Sequence, residues 1–182
     1  MRFPFGRSRT APIEAAAERL HDALIAQIRQ PVFYTDFGVP DTFEGRFDLL
    51  VLHAGLVLRR LRDLGPEGRD IAQTLVDLMF ARFDVAMREL GVSDIGVPKR
   101  MKRMAEAFKG RTAAYDQALA RDDLPALAAA LARNVFGDTR NGTRLALYAQ
   151  TGAAALAAAT LDQLGDGRPA LPDPAAFREA TE

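Results

Sequence analysis

Apolar residues along this chain recur every three or four positions almost from end to end, the period of helices that bury one face. Ile13, Ala17, Leu20, Leu24 and Ile28 form one such stripe. They predict a helix over 11–30, with Pro12 in its first turn and Pro31 as its stop. Over 43–64, Phe47, Leu49, Leu50, Val51, Leu52, Leu56, Val57, Leu58 and Leu61 leave hardly any polar side, so this second helix belongs in the middle of a bundle. Ile71, Leu75, Leu78, Met79, Phe83, Ala86, Met87 and Leu90 predict a third helix over 66–90, closed by Gly91. A fourth helix is expected over 97–120, and a fifth opening at Pro125 and ending near Gly137. A sixth, rich in alanine, is expected over 143–164. No run alternates as a strand would. The pattern therefore predicts an all-α, single-domain compact bundle of about five to seven helices over 11–164. A flexible basic tail at 1–10 precedes it, and a proline-containing tail at 165–182 follows, extended or loosely docked.

The segment between the first two helices departs from this polar-loop grammar. It holds Pro31, Gly38, Pro40 and Gly45, which break helices, yet it also carries Phe33, Tyr34, Phe37, Val39 and Phe43. At roughly 25 cal/mol per Å2 of buried apolar surface, four rings are not left in water without a reason. Either the loop folds back and plugs the core, or part of it faces a partner.

Composition removes several function classes. Lysine plus arginine equal aspartate plus glutamate at 24 each, so attraction to nucleic acid or membrane has to come from a local patch. With no cysteine there is no disulfide, thiolate metal site or cysteine nucleophile. No apolar run approaches the ~20 residues of a spanning helix, and the start of the chain lacks the apolar stretch of a secretory signal. The two histidines, His21 and His53, stand in no metal-binding spacing, and His53 sits inside the most apolar helix as a hydrogen-bonded core or interface residue. Gly137 to Arg144 has the glycine spacing of a phosphate loop but lacks its lysine and a preceding strand. It reads as an interhelical turn capped by Asn141 or Thr143. Asp77 and Asp84 share a helix face without histidine partners, and are expected to pair with arginines or lie in solvent. No metal site, no cofactor and no catalytic set is expected.

One local feature stands out. On a helical wheel of 97–111, Val97, Met101, Met104, Ala105 and Phe108 gather on one side. Lys99, Lys102, Arg103 and Lys109 gather opposite, with Arg100 and Arg111 at the flank. Such a helix buries its methionine–phenylalanine face and presents a basic ridge to a membrane surface or to ribosomal RNA; otherwise the ridge is a solvated face.

Several ordered segments carry a family resemblance: Gln30-Pro31-x-Phe33-Tyr34, Gly38-Val39-Pro40-Asp41-Thr42, Gly45-Arg46-Phe47-Asp48-Leu49-Leu50-x-Leu52-His53 and Arg59-Arg60-Leu61. Met79-Phe80, Arg88-Glu89-Leu90-Gly91-Val92, Asp94, Val97-Pro98-Lys99-Arg100-Met101-Lys102 and Phe108-x-Gly110-Arg111 follow them. Together they resemble the ubiquinol–cytochrome c chaperone family over about 20–136, with a departure at Lys109, where the family often has tyrosine. The resemblance implies an assembly factor for the ubiquinol–cytochrome c reductase complex whose client is newly made cytochrome b, a membrane subunit that carries haem. Similar mitochondrial chaperones act with a small partner protein near the ribosomal exit tunnel. DNA is not an expected partner. For this chain the expected location is cytoplasmic, peripheral at the inner membrane. Client-holding residues are expected around the second helix, at Phe33, Tyr34, Arg46, Asp48, His53, Arg59 and Arg60. The basic ridge of Lys99, Arg100, Lys102, Arg103 and Lys109 would bring that surface to the client. A different reading is a helical lipid- or quinone-binding protein with an apolar cavity under the 31–45 loop.

Overall fold

The computed structural model describes residues 10–89 and 91–177; the basic tail, apart from Thr10, and Leu90 of the third stripe lie outside them. Among the described residues the chain forms eight α-helices, one 3-10 turn and no strand, an all-α bundle as the periodicity requires. In order these are α1 (Thr10–Ile28), α2 (Val32–Thr35), α3 (Phe43–Asp63), α4 (Gly65–Glu89), α5 (Gly96–Ala120), α6 (Leu124–Val135), α7 (Thr143–Ala157) and α8 (Leu161–Gly165). The 3-10 turn is Pro174–Phe177.

Helix α3 is the axis of the bundle. Its start is fixed by Thr42, whose side chain accepts a hydrogen bond from the Gly45 amide at 3.1 Å. Twelve of its 21 residues are buried, and it packs against α1, α4, α5, α6 and α7. Around it, α1 lies along α4, and α5, α6 and α7 follow one another on the other side. The α6–α7 crossing requires Gly142: a Cβ there would stand 2.2 Å from the Ala128 carbonyl oxygen. Asn141 caps the start of α7 by accepting from the Thr143 amide at 2.9 Å, so Gly137 to Arg144 is the interhelical turn its sequence suggests. Asp84 pairs with Arg88 at 2.7 Å, and Asp77 accepts a hydrogen bond from Gln73.

Three local expectations change. The 30–45 segment is not wholly loop, because Val32–Thr35 turns once as α2 before Gly38, at φ 72°, redirects the chain. Phe33, Phe37 and Val39 are buried, so the segment plugs the core. The alanine-rich sixth helix stops at Ala157, and α8 restarts with a capping box in which Thr160 and Gln163 satisfy each other's backbone amides. The chain after α8, expected to be extended or loosely docked, is fastened as far as Phe177. Gln27 donates to the Pro172 carbonyl at 3.0 Å, Phe177 meets Tyr148 edge-on at 5.6 Å, and Pro174 is buried.

Candidate functional site

The residues singled out from the sequence fall into an interior group and two surface groups. Phe33 and His53 have no solvent exposure, and Asp48 is 6% exposed. All three point inward, Phe33 from α2 and Asp48 and His53 from the face of α3 that packs against other helices. His53 lies one turn after Leu49, whose carbonyl oxygen stands 2.7 Å from Nδ1. A carbonyl only accepts, so Nδ1 carries the proton and Nε2 accepts from the Tyr148 hydroxyl at 2.8 Å. That hydroxyl also accepts from Gln27 at 2.9 Å. The chain of hydrogen bonds joins α1, α3 and α7, and rings of Phe33, Phe37 and Phe177 pack edge-on or tilted around it. Burial pushes the His53 imidazole down to about 4, against a small upward pull from the Leu49 carbonyl. The imidazole is neutral, and both of its nitrogens are engaged. Tyr148, a ring alone in an alanine-rich helix, was the sequence signal for this partner.

Asp48 is paired with Arg111, whose guanidinium also lies 5.6 Å from the centre of the Phe47 ring. Burial raises the Asp48 carboxyl to about 7; Arg111 opposes the rise and Glu44 adds to it. Arg46 does not pair with Asp48. Residues two apart on a helix point to different sides, and Arg46 instead holds Asp41 at 2.7 Å and lies 5.7 Å from the Tyr34 ring centre. Tyr34 in turn donates to the Ile28 carbonyl at 2.6 Å.

Arg59 and Arg60 sit thirteen or more residues further along α3, roughly 20 Å away at 1.5 Å per residue. Arg59 pairs with Asp116, which Arg62 also holds at 3.0 Å, and Arg60 donates to the Ala159 carbonyl at 2.9 Å. The cleft they line is otherwise alanine, leucine, Asp63, Asp122 and Gln150. Both arginines are thus held within the fold, and Asp122 accepts from Gln150 across the cleft.

The other end of α3 is different. Two clefts meet there at Phe43 and Phe47. One, of about 160 Å3, lies beside Ile25, Tyr34, Arg46, Leu50 and Phe83. The other, of about 350 Å3, runs between α3 and α5 past Glu44, Met87, Met104, Ala107 and Arg111. Their walls are aromatic and methionine side chains, and Arg29, Arg46, Arg100 and Arg103 stand along the edge. The basic ridge is thus divided. Arg100 and Arg103 face the groove, whereas Lys99, Lys102 and Lys109 point outward, all of them exposed. On the opposite side of α5, Val97 and Phe108 are buried as expected, but Ala105 is exposed and Ala107 takes its place against the core. Arg111 leaves the flank of the ridge for the interior.

The groove suits an apolar, flexible partner better than a small ligand. Thioether and aromatic walls adapt to irregular apolar surface, and both clefts are open troughs rather than the enclosed cavities that bury most of a small ligand. Among the described residues no cluster of histidine and carboxylate side chains is arranged to hold a metal ion, and no helix is long and apolar enough to cross a membrane.

Residues 35–171 match the model of a family described as ubiquinol-cytochrome C chaperone. Ubiquinol-cytochrome-c reductase complex assembly factor 1 of Xenopus laevis is 28% identical over 124 residues, which are 68% of this chain and 62% of that protein. Protein CBP3, mitochondrial, of Saccharomyces cerevisiae is 33% identical over 112 residues, 60% of this chain and 33% of the yeast protein. The chain therefore spans between a third and three fifths of these relatives' lengths. The crystal structure of the Cbp3 homolog from Brucella abortus superposes with a TM-score of 0.83 at 37% identity, covering 93% of this chain and 95% of that one. The matched segment runs from the last residue of α2 to residue 171, three quarters of the chain, and includes the residues that line the cleft between α3 and α5, so the chain belongs to the ubiquinol–cytochrome c chaperone family.

Proposed function

We propose that this protein is a non-catalytic assembly chaperone of the ubiquinol–cytochrome c reductase complex, and that it holds newly made cytochrome b in the groove between α3 and α5. Family membership supports the complex. The groove supports the client: Phe43, Phe47, Met87, Met104 and Ala107 wall it, Tyr34 and Phe83 extend it into the adjoining cleft, and arginines stand on its rim. A membrane subunit before assembly exposes apolar helix surface, which buries against such walls, and acidic or phosphate groups beside that surface meet the arginines. Holding requires no bond to be made or broken, and the buried groups with shifted acidities serve the fold: His53 closes the core and Asp48 anchors α5.

The test is affinity capture of the tagged protein from gently solubilised native membranes, with cytochrome b quantified in the eluate. Replacing both Phe43 and Met104 by Ala removes two partly exposed walls, and is expected to lower recovery about tenfold. Arg62→Gln, at the far end of α3, is expected to leave it unchanged. Equal recovery by all three proteins, each melting as one cooperative unit, would remove the groove from the function.

A further inference from the structure

The outward face of α5 continues beyond its charges into an apolar tip. Ile95, the residue just before the helix, is 91% exposed. At 100° per residue it stands on the same line as Lys99 and Lys102, with Lys109 slightly behind. The tip is held in place. Arg88 bridges Asp84 at 2.7 Å and Asp94 at 2.6 Å, and the Ser93 carbonyl accepts from the Gly96 and Val97 amides at 2.7 and 3.0 Å. Lys99 and Lys109 have no ion pair among the described residues, and Lys102 reaches only Glu106, at 3.9 Å. Asp94, the acid beside Ile95, is already neutralised by Arg88.

We infer that the tip of the α4–α5 turn docks on an anionic phospholipid surface, with Ile95 entering the headgroup boundary and Lys99, Lys102 and Lys109 meeting lipid phosphates. Lysines on one face next to a projecting aliphatic side chain suit a bilayer interface, where electrostatic attraction and apolar insertion act together. A polynucleotide backbone would use the same lysines, but it gains nothing from Ile95. The site is separate from the groove, whose rim uses Arg100 and Arg103, so a membrane-bound molecule keeps the groove open beside the surface.

The experiment is co-sedimentation of the full chain with vesicles of phosphatidylcholine alone or with about a third phosphatidylglycerol. A gel shift with purified ribosomal RNA runs in parallel. Binding to the anionic vesicles is expected, falling in 0.5 M salt as the charges are screened. Replacing Lys99, Lys102 and Lys109 by Gln is expected to weaken it about a hundredfold. Ile95→Ser, which changes no charge, is expected to weaken it about threefold, and Ile95→Trp to strengthen it. Failure to bind anionic vesicles overturns the proposal. So does vesicle binding indifferent to both the Gln variant and Ile95→Ser. RNA binding that the Gln variant abolishes while vesicles are ignored assigns the ridge to nucleic acid instead.

Discussion

Replacing His53 by Ala is expected to cost about 4 kcal/mol of folding stability, near the upper range for a single core substitution. Three losses combine. The imidazole leaves a cavity among Phe33, Tyr148 and Leu49 in a site with no solvent exposure. The Tyr148 hydroxyl loses its acceptor, and the Leu49 carbonyl loses its second donor. For a chain of this length that corresponds to a drop of roughly 10 °C in melting temperature. Tyr148→Phe keeps the ring and removes only the hydroxyl, so its cost is expected to be smaller, about 1–2 kcal/mol. Gln27 still reaches the Pro172 carbonyl in that variant. Thermal and urea melts measure both. A loss below 1 kcal/mol for His53→Ala would mean that the histidine does not close the core.

The second large effect is Arg111→Met, expected to destabilise by about 3 kcal/mol at pH 8 because it leaves a buried carboxylate without its cation. Its sign with pH follows from the raised Asp48 acidity. The folded-state value of about 7 lies above the ordinary carboxylate value, so native Asp48 takes up its proton first as pH falls. In the parent its contribution therefore favours the fold below the unfolded value and is lost as pH rises through about 7. Without Arg111 the carboxyl protonates at still higher pH, and at pH 5.5 the group is neutral in both proteins. The gap between parent and variant should accordingly narrow to about 1 kcal/mol at pH 5.5, since only an uncharged contact is then missing. Comparing the two proteins matters because His53 works the other way. Its depressed value removes stability as pH falls from its ordinary range towards about 4, and this term cancels in the difference. Adding Asp48→Asn to Arg111→Met should recover part of the loss at pH 8. A gap independent of pH, with no recovery in the double variant, would show that the pair is not an ionic one.

Much of this architecture is legible in the order of residues. α3 is recognisable because apolar side chains on all sides leave it nowhere but the centre, and α1, α4 and α5 because their stripes are long and bounded by proline or glycine. α2 escapes because four residues between Pro31 and Gly38 give no period to read. The break at 158–160 escapes because alanine favours helix whether or not the chain continues; the Thr160–Gln163 capping spacing was the available sign. At the site, the sequence distinguishes the outward cations of α5 and the aromatic surplus near 33–43. It says nothing of which charges meet. Asp48 and Arg111 are 63 residues apart, and Arg46 turns back to Asp41, five residues before it. Only the packing angle of α3 against α5 decides that Arg111 turns inward while Arg100 and Arg103 border a groove. The same angle sends Asp48, His53 and Met87 inside and leaves Phe43 and Met104 partly exposed.

The central claim is that the client sits between α3 and α5. Its most direct test places a photo-crosslinking residue singly at Phe43, Met104, Arg62 and Glu67, followed by irradiation during synthesis of cytochrome b and detection of the adduct. Adducts from Phe43 and Met104, with none from Arg62 or Glu67, are the predicted result. Adducts confined to Arg62 and Glu67, or spread evenly over all four positions, would contradict it.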